Sequence, residues 1–210
     1  MLNVNVANAA ANVAAASPGA VGRVNELAKI ARRPGTGLFP LPVVLVSCQA
    51  PGGRPNLITL AWVGVAASEP PTISIGVRPE RYSHSLIRDS GEFVVNIPDE
   101  SMLYALDYCG VVSGRNCDKF AEAHLTPSAG HTVTVPHIEE ASVSIECQVR
   151  QVINVGSHDL FLGEVTAVLA REECITGSGI DLSRVLPIAY GNGRYWSIGK
   201  ALGDFGLAKK

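Results

Sequence analysis

Ser142 to Arg171 reads SVSIECQVRQVINVGSHDLFLGEVTAVLAR. In its first half Val143, Ile145, Cys147 and Val149 alternate with Ser144, Glu146, Gln148 and Arg150. Alternation with period two sends successive side chains to opposite faces of an extended chain. This half therefore predicts a strand over Ser142 to Val155 with one wet face. Gly156-Ser157-His158-Asp159 supplies a connection, and Leu160 to Arg171 returns as a second strand. A hairpin this apolar needs further strands to cover it.

Those strands are legible on either side. Val43 to Gln49, Leu57 to Ala66, Thr72 to Val77 and Glu92 to Ile97 are short β-rich runs bounded by Pro, Gly and Asn. A last strand pair is expected over Ile188 to Ser197, turning at Asn192-Gly193, the strongest short hairpin signal. Helical pieces are few: Ser83 to Asp89, Ser101 to Cys109 and Asn116 to Ala123. Many short strands and few helices predict an antiparallel barrel or sandwich. Residues 1–34 form an Ala/Asn-rich extension, in which Val24 to Arg33 reads as a short helix capped by Asn25. Residues 35–200 form one β domain, and residues 201–210 a C-terminal tail.

Composition narrows the function classes. The 210 residues hold 17 Lys and Arg against 19 Asp and Glu, and 47 % are hydrophobic while only 17 % are charged. Charge this far below the usual share of roughly 25 % excludes a chain that is disordered throughout. A net charge of −2 offers no basic face for nucleic acid. No apolar run reaches the roughly 18 residues of a membrane-spanning helix. The start lacks the positive charge and the continuous apolar stretch of a secretory signal. Five scattered cysteines argue against a disulfide framework, so a cytoplasmic location is expected. The apolar excess points to an oligomer interface or a buried cofactor.

The usual chemical signatures are missing. There is no P-loop, no H-E-x-x-H and no G-x-S-x-G elbow. Gly35-Thr36-Gly37 and Gly177-Ser178-Gly179 lack the strand and helix of a dinucleotide fingerprint. Cys109, Cys117, His124 and His131 match no zinc-ligand spacing, and no metal is expected. What remains are polar residues at strand ends. Asn56, Leu57, Ile58 and Thr59 open one strand, and Trp62 follows with an aromatic plane. Arg81 and Ser83 open a short helix, where a hydroxyl, free N–H groups and an arginine can cradle an anion. From these residues alone, Ser83 as a simple helix cap and Arg81 as a surface charge are the stronger reading, and Trp62 by itself is a core residue.

The order of segments adds a resemblance. PVVLVSC (Pro42 to Cys48), PNLITLAW (Pro55 to Trp62), EPPTISIGVRPERYSHSLI (Glu69 to Ile87) and EFVVNIP (Glu92 to Pro98) come first. DYCGVVSGRNCDKF (Asp107 to Phe120), the Val143 to Val165 hairpin and PIAYGNGRYW (Pro187 to Trp196) follow. In this order they resemble the flavin reductase-like family of FMN-binding split barrels, and within it the flavoredoxin-like branch. The similarity covers about residues 38–200.

The resemblance implies a mainly β fold: a six-stranded antiparallel Greek-key split β-barrel with a few short helices, homodimeric, with one FMN per subunit near the interface. It implies that Asn56, Leu57, Ile58 and Thr59 line the flavin together with Trp62. Ser83 and Arg81 would take the ribityl phosphate. Lys119 would add a cation, His158 would approach from the hairpin loop, and Tyr190 would supply a late aromatic. Read alone, Lys119 is a solvated helix lysine and His158 a locally bonded loop residue. The implied function is hydride transfer from NADH or NADPH to FMN, with electrons passed on to an acceptor or a monooxygenase. No side chain is needed as acid or base, so no catalytic residue is named. The alternative is an FMN-binding electron carrier without nicotinamide turnover.

Overall fold

A computed structural model of the chain describes residues 29–177 and 179–209. The chain divides into two compact units, Met1–Thr36 and Gly37–Lys210. In the first unit, the described residues 29–36 contain neither helix nor strand. The helix expected over Val24 to Arg33 is therefore absent at residues 29–33, and its remainder lies outside the described residues.

The second unit holds every described element. In chain order these are β1 (Leu41–Pro42), β2 (Val44–Cys48), β3 (Asn56–Leu60), β4 (Val63–Ser68), β5 (Pro71–Val77), α1 (Tyr82–Ser90) and β6 (Glu92–Ile97). Then come α2 (Leu103–Val111), α3 (Lys119–Glu122), β7 (Pro127–Ser128), β8 (His137–Ile138), β9 (Val143–Asn154) and β10 (Asp159–Ala170). The chain closes with β11 (Ile175–Thr176), β12 (Gly179–Ile180), α4 (Leu182–Val185), β13 (Ile188–Gly191) and β14 (Arg194–Ser197). No described helix is long and apolar enough to cross a membrane.

The main sheet is antiparallel and has seven strands in the order β3-β2-β6-β9-β10-β5-β4. This is one strand more than the six that the resemblance implies. Its two edge strands, β3 and β4, are neighbours in sequence, joined only by Ala61 and Trp62. The three steps from Leu60 to Val63 span no more than about 11 Å, so the sheet must curl until its edges approach. The expected run Leu57 to Ala66 is thus two strands, broken where the chain crosses from one edge to the other. Gly76 N–H donates to Trp62 O at 2.7 Å and ties the crossing to β5.

Period two in the inner strands sorts the core. On β2, Val44, Val46 and Cys48 enter the interior of the curl with Ile75, Ile87, Phe93 and Phe161. Val43 beside β2, and Leu45 on it, face the other way and pack with Leu57, Met102, Leu106, Phe120 and Ile138. The second cluster seats α2 and α3 against the outside of β2 and β3. The β13–β14 hairpin turns at Asn192 and Gly193, both with positive φ (52° and 74°), as the hairpin signal required.

One expectation about β9 fails over half its length. The first part of its supposedly wet face is covered, with Ser144 and Glu146 buried, while Gln148 is half-buried and Arg150 exposed. The segment before β8 folds over the buried pair. Glu146 accepts from the backbone N–H groups of His131 and Thr132, both at 2.6 Å, and from the Thr132 hydroxyl. Burial alone would push this carboxyl up, but those hydrogen bonds outweigh it and hold it below the usual range. Ser144 Oγ donates to Asn96 Oδ1 at 2.8 Å.

Candidate functional site

A cleft of about 620 Å³ opens where β3, the 61–62 crossing, α1, the end of α2 and the β13–β14 hairpin meet. Its two ends differ. At one end Ser83, the second residue of α1, is buried, and its Oγ accepts from Asn56 Nδ2 at 2.8 Å. The hydroxyl does not cap the helix. Arg81 occupies the cap position in extended conformation without a side-chain cap bond, and no acidic residue sits in the first turn. The partial positive charge of this helix end is therefore unneutralised by its own sequence.

Lys119 closes the same end. Asp118 caps α3 by accepting from Phe120 N–H and Ala121 N–H, which sets Lys119 at the helix start. The lysine is buried, and its Nζ donates to Leu57 O at 2.8 Å and to Cys109 O at 2.7 Å. No carboxylate pairs with it among the described residues. Burial pulls its pKa down from the ordinary lysine value. A buried ammonium with two carbonyl partners has one N–H left and no counter-charge. That is the donor set an anion completes.

At the other end the walls are aromatic. Trp62 is half exposed, and the His158 ring stacks on it with centroids 5.7 Å apart and planes 9° apart. Tyr190 and Tyr195 stand on the late hairpin with ring centroids 5.7 Å apart. The Tyr195 hydroxyl donates to Asp107 Oδ1 at 2.9 Å, and burial together with that carboxylate pushes its pKa up to about 12. Arg78, near the mouth, lies 3.7 Å from Glu80.

Seven of the ten residues named from sequence line this cleft: Ile58, Thr59, Trp62, Arg81, Ser83, Lys119 and Tyr190. Three do not. Asn56 stands behind Ser83 as its hydrogen-bond donor. Leu57 points its side chain into the cluster under α2, because neighbours on a strand face opposite ways, and offers only its carbonyl to Lys119. His158 lies outside the lining, behind the Trp62 ring, with Nδ1 2.9 Å from Ser157 Oγ.

Sequence reasoning missed the strip Cys109 to Gly114, together with Asp107, Tyr82 and Tyr195, all of which line the cleft. The signal was the run DYCGVVSG, whose glycines let its backbone pack closely against side chains of β3 and α1. Gly114 shows this most sharply. A Cβ there would run into Asn56 Oδ1 and come within 3.4 Å of Tyr82 Cδ1. The thiols in this region are muted: burial pushes Cys48 and Cys109 up to about 11.

The fold and the cleft together define a flavin reductase-like flavoprotein. The chain belongs to the family of the flavin reductase like domain, which matches residues 36–199. Among solved structures it is similar to the flavoredoxin of Desulfovibrio vulgaris (Miyazaki F), with 32 % identity and a TM-score of 0.82 over 87 % of this chain and 100 % of that one. It also resembles nitrilotriacetate monooxygenase component B from Bacillus cereus, at 27 % identity and a TM-score of 0.74, over 79 % and 88 % of the two chains. An uncharacterised protein of Archaeoglobus fulgidus is 34 % identical over 62 % of this chain and 73 % of its own length. The residues present fit a flavin nucleotide. The cation-and-hydroxyl end suits its phosphate, and the aromatic end suits a planar ring.

Proposed function

We propose that this chain binds FMN in the cleft and acts as an NAD(P)H-dependent oxidoreductase that hands electrons to a further acceptor. The observation that carries this reading is the buried, uncountered ammonium of Lys119, set beside the Ser83 hydroxyl and the acid-free start of α1. When bound, the flavin supplies reversible hydride and electron chemistry. The protein supplies position. Lys119, Ser83 and the α1 N–H groups hold the phosphate, while Arg81 at the rim adds charge. Trp62, braced by His158, sets one wall for the ring, and Tyr190 stands on the late hairpin. None of these groups is asked to carry a proton to a reacting atom.

A homodimer belongs to the same reading. Trp196, Ile198, Phe39 and Val65 are each more than half exposed, an amount of apolar side chain that a second copy would cover. Sedimentation of the purified chain at twice its 22.1 kDa mass is the expected result.

The function is tested by mixing the anaerobic flavin-loaded protein with NADH and with NADPH and following the flavin absorbance. Bleaching with either donor supports the reductase. A loaded protein that bleaches with neither is an electron carrier, and a purified chain that takes up no added FMN overturns the reading altogether.

A further inference from the structure

Arg54 stands two residues before β3, outside the cleft lining and half exposed. Its Nη2 donates to Gly114 O at 3.3 Å and to Cys117 O at 2.9 Å, and its Nη1 lies 4.0 Å from Asp118 Oδ2. All three partners belong to residues 112–118, the irregular segment that joins α2 to α3. Arg115 of the same segment lies over the Tyr82 ring at the start of α1, 5.4 Å from its centroid. The segment is thus gripped from two sides, by the approach to β3 and by α1.

What it carries makes the grip informative. Gly114 fits against Asn56 with no room for a side chain, and Asn56 in turn holds Ser83. Asp118 caps α3 and so places Lys119. Displacing residues 112–118 would therefore disturb Ser83, Asn56 and Lys119 together, while Trp62 and His158, on other elements, would stay stacked. An exposed ion pair at 4.0 Å adds little. The two carbonyl bonds matter more, because the single nitrogen Nη2 satisfies two backbone acceptors that no helix or strand provides for.

We propose that Arg54 is a positioning residue for the anion end of the cleft. It fixes the 112–118 segment, and the preference for a phosphorylated flavin over the same ring without phosphate depends on it. The proposal rests on the FMN reading given above, and the experiment separates the two.

FMN and riboflavin are titrated by fluorescence into the flavin-free full-length chain, its Arg54→Ala variant and its Arg54→Lys variant. The wild type is expected to prefer FMN. Arg54→Ala is expected to lose about tenfold in FMN affinity, the scale of one charge-assisted hydrogen bond, with riboflavin affinity unchanged. Arg54→Lys restores little, since the lysine chain ends one bond short of the Nη2 atom that reaches both carbonyls. A wild type that binds both flavins equally overturns the phosphate reading of the site. A wild type that prefers FMN, with an Arg54→Ala variant that keeps the same preference or loses both flavins alike, overturns the positioning role. Should the alanine variant not fold, an Arg54→Lys variant with undiminished preference overturns it as well.

Discussion

The two ends of the cleft are built by opposite rules. At the anion end Asn56, Ser83 and Lys119 are each no more than 4 % exposed; Asn56 bonds to Ser83 and Lys119 to two backbone carbonyls, bonds that need no ligand. At the ring end Trp62 is 47 % exposed, and its one stacking partner, His158, comes from a hairpin loop. The anion end is paid for in desolvation during folding, so it is already shaped for a charge when the ligand arrives. The ring end stays open, which in the proposed function leaves space for a second molecule to reach the flavin.

Gly114→Ala should break this contrast hardest. The new methyl would force Asn56 to turn away from Ser83, and overpacking of this kind costs about 1–3 kcal/mol on top of the lost bond. Flavin titration should show FMN affinity falling by about 3 kcal/mol. A variant that binds like wild type would show that the glycine and the Asn56–Ser83 pair are independent.

Lys119→Ala comes next. Loss of one charge-assisted contact to the phosphate should weaken FMN by about 2 kcal/mol. The same substitution removes the ammonium from Leu57 O and Cys109 O, so the melting temperature should fall too. Unchanged FMN affinity in the folded protein would reduce the lysine to a structural bridge.

Trp62→Ala tests the open end and should be milder. Its half-exposed ring contributes little to the core, so thermal unfolding should move only slightly. Cofactor retention should drop by about 1 kcal/mol, the scale of an aromatic stack. A large loss of stability with normal flavin affinity would return Trp62 to the core.

The smallest effect concerns the tie between the two ends. His84, next to Ser83 on α1, bonds through Nε2 to Asp159 Oδ2 at 2.8 Å, and Asp159 follows the stacked His158. Hydrogen bonds from Asn154 and His84 hold the Asp159 carboxyl below its ordinary value. A depressed carboxyl stabilises the fold above its unfolded value, near 3.8, and that contribution disappears as pH falls through the folded value. The melting-temperature gap between wild type and Asp159→Asn should therefore stand at about pH 5 and close below about pH 4. A gap independent of pH would detach this pair from acid stability.

Much of the sheet was open to reading because strands announce themselves locally. The alternation from Val143, the Asn192-Gly193 turn and the Glu92 to Ile97 run needed no partner to be seen, and the last matches β6 residue for residue. The break at Ala61 and Trp62 was hidden, since Leu57 to Ala66 is continuously β-prone and only the curl of the sheet bends it there. The burial of Ser144 and Glu146 was hidden for a similar reason. Polarity marks a face as able to meet water, but a folded-over segment with free N–H groups can serve a carboxylate equally well.

The candidate site divides along the same line. Residue chemistry alone marked Ser83 and Arg81 as an anion cradle and left their cap and surface readings open. The ordered segments carried the resemblance to the family and, with it, Lys119. Only the tertiary structure turned Leu57 away from the cleft, moved His158 behind Trp62 and brought the Cys109 to Gly114 strip into the lining. The amino-acid sequence by itself determined which stretches extend, where they turn and which groups could hold a phosphate, because backbone preference and side-chain chemistry are local. Which of those groups share one cleft was decided by the curl of the sheet and the packing of α2 and α3, because those contacts join residues far apart along the chain.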